Sequence, residues 1–330
     1  MKKMISLMLV MLMTAMLFAG CGSSSEAATP TGFSENYKIA IVQQLDHSSL
    51  NEIRDAVEAQ LTALAESTNF TVTIEKYNGQ NDASVLNQIG ADVVADEFDL
   101  IIPIATMAAQ CMVTAADGTD IPIVYAACSD PESAGLTGIS NVTGISDALN
   151  TPQILDMMLA VQPDVKTVGL LYSNSEINSA TPIAEAKAYL DAKGIAYLEK
   201  TGNTNGEITE AAASLVGRVD AVFTPTDNAV MAVAGSVAET LTAAGIPHYT
   251  GADSFVLSGA FTTCGVNYTE LGTKTADIAM DILLGGEIGE FIVMDGGIIT
   301  VNTETAAALN LDYSAFSSIA DTINEVTTAE

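Results

Sequence analysis

Lys38-Ile39-Ala40-Ile41-Val42 is an apolar, largely β-branched run of strand length, and a polar turn separates it from the segment Leu50–Leu64. In that segment Ile53, Val57, Leu61 and Leu64 recur at the spacing of one helix face. The same beat continues through a strand at Phe70–Tyr77, a helix at Ser84–Ala95, and strands at Asp99–Ile104 and Ile121–Ala126, with a helix from Met107 between the last two. Short apolar strands alternating with helices of this length predict right-handed βαβ units and a parallel sheet.

The beat restarts after Asn141-Val142-Thr143-Gly144. A helix is expected at Gln153–Val161, and strands at Thr167–Tyr172, Ala196–Lys200, Ala221–Thr224 and His248–Thr250, with helices near 180–192, 206–216 and 228–243. The fold class is α/β with two lobes, each a parallel sheet flanked by helices. A further strand and helix, Ala260–Val266 and Leu271–Leu284, are expected to return to the first half, and Ile298–Leu311 to the second. The expected lobes are 37–147 with 256–287 and 148–255 with 288–318, followed by a loose tail at 319–330. Hinges are expected near 145–150, 252–258 and 286–296. A cleft between the lobes, at the carboxyl ends of both sheets, is the default ligand site.

Residues 1–20 have the form of an export signal: Lys2 and Lys3, an apolar run from Ile5 to Phe18, then Ala19-Gly20 before Cys21. The cysteine makes the pattern resemble a bacterial lipoprotein signal. The resemblance implies cleavage before Cys21, acylation there, and a flexible tether over 21–36 that moors the protein to the outer face of the cell membrane. No later stretch is long and apolar enough to span a bilayer.

The chain has 41 acidic and 11 basic side chains, a net charge of −30. Nucleic acid is excluded as a partner, because its phosphates need a basic surface. Beyond Cys21 stand Cys111, Cys128 and Cys264, without metal-ligand spacing. Buried thiols, a Cys111–Cys128 disulfide and, less readily, a catalytic thiol are the readings open to them. No metal or cofactor is expected.

The loops after the strands are rich in hydroxyls, amides and acids. They contain Asp46 and His47, Thr106 and Gln110, Asp130, Ser175 with Asn178 and Ser179, Thr226 with Asp227, and Asp253. Thr106, Ser175 and Thr226 suit helix N-caps. These loops serve either as caps and turns or as ligand contacts, and their convergence on one cleft favours contacts. Helix N-termini there suit a carboxylate. The aspartates serve either as caps or as partners of a cationic amine. Arg54 and Arg218 lie away from strand ends, so a polyanion lacks its usual partner. The expected ligand is a small zwitterion or neutral polar molecule.

With these loops in order, the chain resembles the solute-binding lipoproteins of a bacterial ABC-importer family linked to tryptophan and other aromatic amino acids. The likeness rests on Asp46-His47-Ser48-Ser49-Leu50-Asn51, Ile104-Ala105-Thr106-Met107-Ala108-Ala109-Gln110, Ser129-Asp130-Pro131, Lys166–Tyr172, Ser175-Glu176-Ile177-Asn178-Ser179 and Pro225-Thr226-Asp227-Asn228, and spans about 37–312. It implies a type I periplasmic-binding-protein fold and a ligand enclosed by both lobes. Thr106, Gln110, Ser175, Asn178, Ser179 and Asp227 would touch that ligand, with Asp253 near its amine. With no tryptophan in the chain, ring stacking would come from a residue such as Tyr125 or Phe255. It also implies hinge closure and delivery to an ABC permease and its ATPase subunits, by a protein expected to be monomeric and not an enzyme. Two alternatives stand beside it: a ligand-sensing lipoprotein that signals to a membrane receptor, and a hydrolase-type enzyme using His47 with Asp46 or Asp130.

Overall fold

The structure, a computed structural model, describes residues 36–68, 70–320 and 322–329. The expected signal peptide, Cys21 and the tether up to residue 35 lie outside these. The first half runs β1 (Asn36–Gln43), α1 (Ser48–Thr68), β2 (Thr71–Asn78), α2 (Ala83–Ala95), β3 (Leu100–Ile104), α3 (Thr106–Ala115), β4 (Ile123–Ala126) and β5 (Val142–Ser146). Next come α4 (Thr151–Val161), β6 (Thr167–Tyr172), α5 (Ala180–Lys193), β7 (Ala196–Thr201), α6 (Asn205–Ala213), β8 (Ala221–Thr224), α7 (Asn228–Met231), α8 (Ala234–Ala243), β9 (His248–Thr250) and α9 (Asp253–Leu257). The chain closes with β10 (Thr262–Gly265), α10 (Tyr268–Leu283), β11 (Ile292–Val293), β12 (Ile298–Asn302), α11 (Thr303–Ala308) and β13 (Ile323–Val326).

These strands form two sheets, in the orders β11-β5-β4-β3-β1-β2 and β13-β12-β10-β9-β8-β6-β7. All described pairings are parallel except β10 with β12. The unbroken apolar run of β1 follows from burial on both faces. Ile39 and Ile41 join the core with Ile53, Val57 and Leu271, whereas Ala40 and Val42 join Leu86, Met112 and Tyr125 on the other face. Helix α10 lies tightly on α1: a Cβ at Gly272 would come within 2.6 Å of the Ile53 carbonyl oxygen.

Three expectations about the chain's return passes need correction. Strand β10 does not complete the first sheet; it pairs with β9 and β12 in the second, and only α10 goes back to the first lobe. Conversely β11, expected in the second lobe, extends the first sheet beside β5. The expected tail contains β13, which pairs with β12, and Ala329 N donates to the Leu257 carbonyl at 2.8 Å. Strands this short carry no periodicity that assigns them to a sheet; pairing partners decide it. The chain therefore crosses between sheets at 147–150, 266–267 and 294–297, and the middle crossing lies beyond the 252–258 segment expected to serve as a hinge. Cys111, Cys128 and Cys264 are buried free thiols, so no Cys111–Cys128 disulfide forms. Among the described residues no helix is long and apolar enough to cross a membrane.

Candidate functional site

Both sheets direct their carboxyl ends at one cleft. From the first lobe come His47 and Ser49 at the start of α1, Ala105 and Thr106 after β3, Ala127 and Ser129 after β4, and Asp147 after β5. From the second come Asn178, then Thr226, Asp227 and Asn228 after β8, and Ala252, Ser254 and Phe255 after β9. Tyr268, the first residue of α10, completes the wall. The walls nearly meet, leaving a cavity of about 30 Å³, so the lobes have to part before an amino-acid-sized molecule enters. Direct bonds span the boundary: Gln44 Nε2 donates to Glu176 Oε1 at 3.0 Å, Ser49 Oγ to Asp253 Oδ1 at 2.7 Å, and Thr181 Oγ1 to Asp130 Oδ2 at 2.6 Å.

On the second-lobe side a buried carboxylate pair dominates the electrostatics. Asp227 is the N-cap of α7 and accepts from Val230 N, while its other oxygen accepts from Ser173 N and Ser179 Oγ, each at 2.7 Å. Glu176, 4 % exposed, accepts from Gln44 and, at 3.1 Å, from Asn228 Nδ2. Burial, and then the charge of Asp227, push Glu176 up to about 7. Burial likewise raises Asp227, Asp147 and Asp253. No lysine or arginine lines the cleft, and the described ion pairs all involve partly exposed side chains elsewhere.

The first-lobe side supplies acceptors and hydroxyls. Because Asn228 Nδ2 is engaged by Glu176, its oxygen faces His47 Nε2 at 3.4 Å, which fixes the ring proton on Nε2. Burial lowers His47 to about 4, so the ring is neutral and Nδ1 is an acceptor without a partner. Ser254 Oγ is likewise unpartnered in the same cleft. Ser129 Oγ donates to Asp147 Oδ1 at 2.9 Å and therefore accepts from Thr226 Oγ1 at 3.0 Å, another bond across the boundary. Tyr268 donates its hydroxyl to the second Asp147 oxygen at 3.4 Å. At the start of α3, Ala105 has φ 75° and ψ 162°, a region almost reserved for glycine. This strained turn brings the N-terminus of α3 to the cleft wall.

The sequence-derived candidates divide accordingly. His47, Thr106, Asn178, Thr226 and Asp227 line the cleft together. Ser179 stands behind it and holds Asp227, and Asp253 bridges to Ser49 beside it. The other candidates lie elsewhere. Asp46 turns outward to Asn78 Nδ2 at 2.6 Å and Arg54 at 3.4 Å. Gln110 Nε2 binds the Ala134 carbonyl, tying α3 to a neighbouring loop. Ser175 is exposed and pairs with Ser173. Asp130 caps the Ser133 turn and meets Thr181 at the outer mouth. Of the two carboxylates expected to pair with His47, Asp46 makes its hydrogen bonds to Asn78 and Arg54 and Asp130 its own to Ser133 and Thr181, while the hydrogen-bond partner of the ring is Asn228. The expected caps also shift: Thr106 is already the first helical residue, and Asp227 rather than Thr226 caps α7. Phe255 reaches the cleft, but Tyr125 lies on the opposite face of the first sheet. Sequence reasoning missed Ser129, Asp147, Glu176, Asn228, Ser254 and Tyr268 as site residues; Asp147 directly follows a strand, which was the available signal.

Two lobes with polar strand-end loops and a closing cleft fit a solute receptor, and comparison with known proteins identifies the kind. The family of ABC transporter substrate binding proteins matches residues 38–321. The chain belongs to that family. As an ABC transporter substrate-binding protein it captures a solute, outside the cytoplasm, for an ABC transporter. It is 30 % identical to a tyrosine-binding protein of Clostridioides difficile, over 94 % of this chain and 93 % of that one. It is also similar to a Streptococcus pneumonia ABC domain solved with L-Trp, at 29 % identity and a TM-score of 0.81, covering 87 % of this chain and 99 % of that one. A ligand-free, open substrate-binding protein with adhesive properties from Clostridium difficile gives a TM-score of 0.67 at 30 % identity, covering 88 % and 99 %. The present substrate-binding protein is thus closer in shape to the L-Trp complex than to the open form, in keeping with its nearly shut cleft.

Proposed function

We propose that this substrate-binding protein captures an aromatic amino acid. The carrying observation is the buried pair Asp227 and Glu176 at a cleft that no cationic side chain lines. Carboxylates buried without a cation are costly, and a ligand ammonium supplies both the missing charge and donors for His47 Nδ1. The ligand carboxylate fits the N-termini of α1 and α3, where backbone amides and the helix dipole favour an anion. Phe255 and Tyr268 offer ring contacts. The names of the similar proteins, one tyrosine-binding and one solved with L-Trp, support the same class.

Capture proceeds by rotation of the lobes about the crossings at 147–150, 266–267 and 294–297, and the closed form is handed to the permease without chemical change. Thr106, Asn178, Thr226, Asp227 and His47 touch the ligand, while Ser179 and Asp253 hold the walls. We further propose that acylated Cys21 anchors a monomeric receptor to the membrane. Titration calorimetry with L-tryptophan, L-tyrosine and L-phenylalanine tests the ligand class. Saturable binding of at least one is expected, and Asp227→Asn weakens it by about 2–5 kcal/mol, the cost of stripping one member from a buried charged pair. Absence of heat with all three, in protein whose melting is cooperative, overturns the assignment.

A further inference from the structure

The large side chains with apolar bodies that line the cleft are Leu50, Met231, Phe255 and Tyr268. Leu50, Phe255 and Tyr268 are each at most 4 % exposed and belong to one core cluster that spans both lobes. Their positions are fixed. Phe255 packs edge-on against His248, with ring centroids 6.3 Å apart, and the Tyr268 hydroxyl is tied to Asp147. Met231 is held differently: it is half-buried and packs only against the margin of that cluster. A thioether on an unbranched, freely rotating stem fits irregular gaps and makes favourable contacts with the edges of aromatic rings.

The place of Met231 along α7 matters as much as its freedom. Its backbone N–H donates to the Asp227 carbonyl at 2.9 Å, so it stands one helical turn beyond Asp227, and both side chains line the cleft. One turn rises about 5.4 Å, comparable to the span from the ammonium to the ring of an aromatic amino acid. A ligand whose ammonium is drawn to Asp227 therefore brings its ring to the level of Met231.

We propose that Met231 decides which ring this receptor accepts. The ring displaces the thioether from the nearly shut cleft, and Met231 then closes on it against the fixed floor of Leu50, Phe255 and Tyr268. This rests on the aromatic-amino-acid reading above and assigns ring-size selection within it to one side chain.

The test is titration calorimetry of wild type, Met231→Ala and Met231→Phe with L-tryptophan, L-tyrosine and L-phenylalanine. The quantity read is the affinity for tryptophan divided by that for the tighter single-ring ligand, in which any general loss cancels. Cooperative melting of each variant establishes that it is folded. Truncation to alanine opens space that only the larger indole fills, so the ratio is expected to rise about threefold or more. Phenylalanine at the same position is bulkier and stiffer, so the ratio is expected to fall by a similar factor. Equal losses for all ligands, or a change of the same sign in both variants, would overturn this inference while leaving the aromatic reading in place. A wild-type protein that binds none of the three overturns both.

Discussion

Gln44 and Glu176, 132 positions apart in sequence, meet across the lobe boundary in a 3.0 Å hydrogen bond. Gln44 belongs to the loop after β1, and its other amide atom, Oε1, accepts from Met107 N at the start of α3. Glu176 belongs to the loop after β6 and is held from its own lobe by Asn228. One side chain thereby links the opening turn of α3 to the carboxylate pair of the opposite lobe.

Removing that link shifts the balance between shut and parted lobes. One hydrogen bond is worth about 0.5–1.5 kcal/mol, a roughly twofold to thirteenfold change in a two-state ratio. In Gln44→Ala the ligand-free protein is expected to show a larger radius of gyration by small-angle scattering than wild type. An unchanged profile would mean that the other cross-boundary bonds keep the cleft shut without it.

The raised Glu176 makes a signed prediction about pH. Its folded value of about 7 lies above the ordinary 4.5. The native state holds a proton that the unfolded chain releases, so this stability is full below the lower value and is lost as pH rises through the upper one. Glu176→Gln abolishes the titration. The melting-temperature difference, variant minus wild type, should grow more positive between about pH 5 and about pH 8. His47, lowered to about 4, acts in the opposite sense, losing stability as pH falls, but it is present in both proteins and cancels in the difference. A flat difference would show that Glu176 does not hold the proton.

Ala105 gives a prediction of the other sign. Its φ of 75° with ψ of 162° costs a residue with a Cβ about 1–3 kcal/mol. Glycine relieves that strain but loses about 0.5–1 kcal/mol through its freer unfolded chain. Ala105→Gly is therefore expected to raise stability by about 1 kcal/mol in urea denaturation. A destabilised variant would show that the alanine methyl contributes more through packing than its backbone strain removes.

What the sequence determined by itself was the alternation. Buried runs such as Lys38–Val42 and Thr167–Tyr172, each followed by a helical period, already specify two parallel α/β halves. They also fix the edge at which the polar loops gather, because parallel connections carry every strand-end loop to the same side. Tertiary structure decided what is non-local. Strand β10 joins the second sheet and α10 the first, since a four-residue strand takes its place from its neighbours' open hydrogen bonds and a helix from the face it buries. Side-chain direction beyond a strand end was equally out of reach. Asp46 and His47 are adjacent in the chain, yet Asn78 and Arg54 draw one outward while the other turns inward to Asn228. Backbone geometry and partners contributed from far along the chain separate them, and neither is encoded in the loop that carries both.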